Sequence, residues 1–163
     1  IVWACPAHYY TNFTYWTQHC WGVTCVNDME AMLSYQPITI GDKEQALADL
    51  VRCYEKMMMR SHTNGGYVNL LDECWKMCEK FHTNIVIMYD HVSCKNVGGL
   101  HGLFEDQARE RGIHLIWIPH DVMDPRTVSR REMREAFSQY MVTVLNEKPL
   151  DPTLLDYEDT LSW

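Results

Sequence analysis

The sequence predicts an α/β fold: a flavodoxin-like sheet of four parallel strands with helices on both faces. Three observations lead there. Short apolar runs alternate along the chain with longer stretches of helical periodicity, the pattern of strand–helix–strand units joined by right-handed crossovers. The run Ile85-Val-Ile-Met-Tyr89 is continuous and rich in β-branched residues, as suits a strand buried on both faces. Each such run ends in polar or reactive residues, and in open α/β sheets the carboxyl ends of the strands are where ligands bind.

In order, Ile1 to Cys5 reads as a short buried strand stopped by Pro6. Tyr9 to Trp21 reads as a helix, with Phe13, Trp16, Cys20 and Trp21 at helical spacing, Thr11 or Asn12 available to cap it and Gly22 to end it. Val23 to Val26 is a second strand leading into Asn27-Asp28. Asp42 caps a long helix from about Lys43 to Met59, with Ala46, Leu47, Leu50, Val51, Tyr54 and Met57-Met58 on its apolar positions. Tyr67 to Phe81 forms another, with Val68, Leu71, Trp75 and Cys78 in one stripe. The third strand, Ile85 to Tyr89, is followed by a helix from about Leu100 to Arg111 that ends at Gly112. Ile113 to Ile118 is the fourth strand. Ser129, with Glu132 in the capping-box position, opens a last helix from about Arg130 to Asn146. The expected strand order is 2-1-3-4. Residues 1–147 make the domain. Residues 148–163 make an acidic, Pro-containing tail with Leu154, Leu155, Leu161 and Trp163 available to dock.

The net charge of −8 argues against nucleic acid or an anionic membrane as the main partner. No apolar run approaches the roughly 20 residues of a membrane span. The chain opens at Ile1-Val2-Trp3 without Met and is expected to be a piece of a longer protein. Its cysteines fall at 5, 20, 25, 53, 74, 78 and 94, an odd count without a CxxC pair. That pattern suits free thiols in a reducing, even anaerobic, cytoplasm better than a secreted disulfide framework.

The four strand ends would share one rim. Strand one brings Cys5 and His8, strand two Asp28, strand three His91, Ser93, Cys94 and Lys95, and strand four His120, Asp124 and Arg126. The plain alternative is that these are caps and turns. Cys94 is the sharpest candidate, because it follows Ser93 past a strand, precedes Lys95 and stands near a helix start, a setting that favours the metal-binding thiolate. Cys5 has a similar address, although Cys-Pro at a strand end also suits packing. Cys74 and Cys78, four apart on one helix, read as core. Asn64-Gly65-Gly66 could cradle a phosphate before a helix but lacks the dinucleotide and P-loop patterns, so a turn is the simpler reading. No Ser-His-Asp order, HExxH or kinase motif appears.

The segment Ile85-Val-Ile-Met-Tyr-Asp-His-Val-Ser-Cys-Lys95, the Gly112-Ile113 strand opening, Asp121-Val-Met-Asp-Pro-Arg126 and the helix from Arg134 to Leu145 resemble the 2-hydroxyacyl-CoA dehydratase and benzoyl-CoA reductase family. The resemblance covers about residues 82 to 146. It implies the carboxy-terminal domain of a large subunit that holds a [4Fe–4S] cluster, with Cys94 as an iron ligand and the other ligands on domains absent from this chain. It implies an acyl-CoA substrate, a homologous second subunit and an ATP-dependent activator protein. The reaction implied is dehydration of a 2-hydroxyacyl-CoA, or reduction of an aromatic acyl-CoA, through a ketyl radical. Double-cubane cluster reductases are a related branch, and a flavodoxin-like interaction domain without catalysis is the alternative of another class. The chain departs from the family where Asn-Arg often precedes Ser-Cys, here His91-Val92, and where Gly-Asp is common, here His120-Asp121. The 163 residues alone are expected to be inactive.

Overall fold

A computed structural model describes residues 2–3, 12–29, 37–55 and 66–156, residues 2–3 by their backbone only. The expected α/β layering with parallel strands is present. Strands β1 (Val2–Trp3), β2 (Ile85–His91) and β3 (His114–His120) form one sheet in the order β1-β2-β3. Both pairings are parallel, with Val2 opposite Ile87 and an unbroken β2–β3 register from Ile85↔His114 to His91↔His120. This agrees with the expected adjacency of strands one, three and four.

The second expected strand is corrected. Val23–Val26 runs without strand structure, followed by an isolated bridge at Asp28, so the described sheet has three strands rather than four. β-Branched composition favours an extended backbone, but a strand also needs a paired neighbour, and local sequence does not specify one.

Alternation along the strands sorts the core into two layers. Val86, Met88 and Leu115 face helices α3 (Tyr67–Phe81), α4 (Lys95–Gly98) and α5 (His101–Arg111), meeting Leu70, Cys74, Trp75, Val97 and Phe104. Ile87, Tyr89, Ile116 and Ile118 face α1 (Phe13–Trp21) and α6 (Arg130–Thr143), meeting Phe13, Trp16, Met133 and Phe137. Helices therefore cover both faces. Cys74 and Cys78 lie in the first layer, as expected of core residues; the hydrogen bond to Cys78 and burial push the Cys74 thiol up.

The ends of the helices follow their sequence. Gly22 closes α1 at φ 72°, where its Cβ-free backbone also lets Leu150 approach. Ser129 and Glu132 form the full capping box of α6. Asn12 stands at the α1 N-cap without a side-chain cap bond. Helix α2 (Lys43–Glu55) departs from expectation, since Leu47, Leu50, Val51 and Tyr54 are exposed; Met57-Met58 lie outside the described residues. The tail docks on α1: Leu150 N–H donates to the Cys20 carbonyl at 2.7 Å and the Trp16 indole N–H to the Leu154 carbonyl at 3.0 Å. Leu154 and Leu155 pack on the second layer, whereas Leu161 and Trp163 lie outside the described residues.

Candidate functional site

The rim forms where β2 and β3 end side by side. Past β2 the chain turns tightly, with Val92 N–H donating to the His120 carbonyl at 3.1 Å and Cys94 N–H to the His91 carbonyl at 2.9 Å. Cys94 occupies the N-cap position of α4, and its carbonyl accepts from Gly98 N–H at 3.1 Å. Four backbone bonds thus hold the turn, counting Lys95 N–H to the Ser93 carbonyl at 3.1 Å. The cysteine is half-buried against the first core layer. Lys95 is exposed.

On the second-layer side, His91 and His120 are register partners and meet edge to face with ring centroids 5.2 Å apart. His120 is 1% exposed and packs on Tyr89, so it belongs to the core rather than to an open rim. The Ser93 backbone N–H donates to His91 Nδ1 at 3.1 Å, with the Ser93 hydroxyl at the same distance. Nδ1 is therefore an acceptor, and the proton of the neutral ring sits on Nε2, 3.9 Å from Asp121 Oδ1.

Asp121 and Asp124 organise the loop after β3. Asp121 accepts from the backbone N–H groups of Met123 at 2.9 Å and Asp124 at 3.3 Å. The Met123 N–H first, then Asp124, Thr127 and His91, hold its carboxyl below the usual range against the opposing effect of burial. Arg126 donates to both oxygens of Asp124 and pulls that carboxyl down to about 2. Asp124 and Arg126 are thus engaged with each other, with Arg126 out in solvent.

On the Cys94 side Asp90, a strand-end residue of the sequence, meets His101, which sequence reading passed over. Asp90 Oδ1 is 3.3 Å from His101 Nε2, and the His101 ring stacks on Trp117 at a centroid distance of 3.6 Å. An acidic residue at a strand end with a histidine opening the next helix was the available signal. Cys5 and His8 lie outside the described residues. Asp28 follows the irregular 22–27 stretch as an isolated bridge and lies on none of the three strands of the described sheet. Among the described residues no group of three or more His, Cys, Asp or Glu converges as a metal site, and none of the six described cysteines is in a disulfide. No helix among them is long and apolar enough to cross a membrane.

A parallel α/β domain with a cysteine at the carboxyl end of its central strand is the class that fold and site define. Residues 1–141 match the family HGD-D, described as 2-hydroxyglutaryl-CoA dehydratase, D-component, and the chain belongs to that family. It is a 2-hydroxyacyl-CoA dehydratase-type subunit. Neither a curated protein nor a solved structure matches it.

Proposed function

We propose that this chain carries one ligand of a [4Fe–4S] cluster, Cys94, in an enzyme that dehydrates a 2-hydroxyacyl-CoA or reduces an aromatic acyl-CoA by a ketyl radical route. The observation that carries the reading is the placement of Cys94: a thiol fixed by backbone bonds at the end of the central strand, in a chain of this family. A soft thiolate suits iron, and a rigid turn suits a ligand that must not reorganise. The described residues fit one ligand of such a group, and the remaining ligands are assigned to residues outside them. When bound, the cluster supplies a single electron to the substrate thioester. The chain's own part is to hold the thiol and present the rim loops to the acyl-CoA. A homologous second subunit and an ATP-dependent activator protein complete the system.

The test is direct. The protein produced with its second subunit and purified without oxygen is expected to be brown, to contain iron and sulfide, and to turn over a 2-hydroxyacyl-CoA or an aromatic acyl-CoA when activator and ATP are added. A colourless, iron-free complex inactive with both thioesters would favour an interaction domain without catalysis.

A further inference from the structure

We infer that His101, aligned by Asp90 and backed by Trp117, is the proton-transfer group of this rim. The inference rests on the dehydratase branch of the reading above. Asp90 and His101 come from different elements, the end of β2 and the first residue of α5, and meet at 3.3 Å. The carboxylate can only accept, so the imidazole proton sits on Nε2 and the lone pair on Nδ1. Nε2 is buried and not yet aligned in a hydrogen bond, while about a third of the His101 side chain remains open (34%). A sequestered nitrogen facing a carboxylate, with part of the ring accessible, is the arrangement of an oriented general base, and such contacts tighten when substrate binds. Trp117 fixes the ring plane from β3. Cys94 packs on the same core layer, so thiol and imidazole serve one side of β2.

The step is redox-neutral overall, because the single electron that activates the thioester is returned once water has left. His101 Nδ1 takes the proton from C3 of the acyl chain, and the C3–H electron pair becomes the C2=C3 bond. The C2–O bond breaks with its pair on oxygen, and the proton passes from His101 to that hydroxide, so water leaves and the imidazole is neutral again. Of the elements around the ring, β2 carries Asp90 and His91, α4 carries Lys95, and α5 itself carries Glu105, Asp106, Arg109, Glu110 and Arg111, with Glu105 one turn along from His101; Trp117 brings no charge. Asp90 is the positioning residue.

The test uses the complete complex with its activator and a 2-hydroxyacyl-CoA. His101→Gln is expected to lower kcat by about a hundredfold or more, with KM, iron content and circular dichroism little changed. Asp90→Asn should lower kcat less, again with KM little changed, because the ring loses the carboxylate that orients it. His101→Gln retaining wild-type kcat, in a complex that itself turns over, would overturn the inference and leave the dehydratase reading standing. A wild-type complex with no dehydration activity would overturn both.

Discussion

Asp90 and His91 are consecutive on β2 and serve opposite faces of the sheet: Asp90 reaches His101 on the α5 side, at 3.3 Å, and His91 reaches Asp121 on the α6 side, at 3.9 Å. The two-residue period of a strand is the cause. One strand end therefore places an imidazole–carboxylate pair on each side of the sheet, with Cys94 following three residues later. That concentration of chemistry at one rim is what the doubly covered parallel sheet supplies.

The second layer depends on Phe137. It is fully buried, and its ring meets Phe13, Trp16 and Trp21 at centroid distances of 5.9, 5.8 and 6.4 Å. Phe137→Ala removes the ring that joins α6 to α1 and should cost about 3–5 kcal/mol. Denaturant unfolding measures it, and a loss under 1 kcal/mol would show that the layer closes without this ring.

The loop after β3 should be acid-sensitive. Asp124 is held down to about 2 in the folded chain, chiefly by the Arg126 side chain, against about 3.9 when unfolded. A depressed carboxyl contributes stability that is fully present above the unfolded value and lost as pH falls through the folded one. The stability difference between wild type and Asp124→Asn is therefore expected to be constant above about pH 5, to shrink as pH falls, and to vanish only below about pH 2. A difference that grew on acidification would have the wrong sign for this pairing.

The capping box of α6 gives a local test. The Ser129 N–H donates to Glu132 at 2.6 Å, and the Glu132 N–H donates back to the Ser129 hydroxyl at 3.2 Å. Ser129→Ala should cost about 1 kcal/mol, and Ser129→Asp much less, because aspartate can accept the same N–H. Equal melting temperatures for wild type and the alanine variant would remove the cap from the account.

Those caps were legible in the sequence because they are local: Ser-x-x-Glu and a glycine after the last turn specify their geometry within four residues. The central strand was legible because burial on both faces demands an unbroken apolar run, and Ile85 to Tyr89 supplies one. Val23–Val26 misled for the opposite reason, since a strand is defined by a partner elsewhere in the chain. The stripe of α2 has the right period but stands exposed, and periodicity names a face without naming what covers it. At the site, Cys94 was readable as a reactive residue past a strand. The Asp90–His101 contact was not, because it depends on how α4 turns the chain back over the sheet.

The central claim is that Cys94 binds iron, and iron content tests it most directly. Cys94→Ser replaces a soft thiolate by a hard, poorly acidic hydroxyl at a half-buried turn, which should cost on the order of 1 kcal/mol in stability. Cys78→Ser is the control, exchanging a sulfur at 2% exposure and hydrogen-bonded to Cys74 for a smaller, more strongly hydrated hydroxyl in the first core layer, which should cost about 1–3 kcal/mol. Both variants are to be purified without oxygen together with the second subunit, and iron measured per folded complex. The account predicts that Cys94→Ser loses iron while melting nearly as the wild type does, and that Cys78→Ser keeps iron and melts lower. Full iron in the Cys94→Ser complex would contradict it.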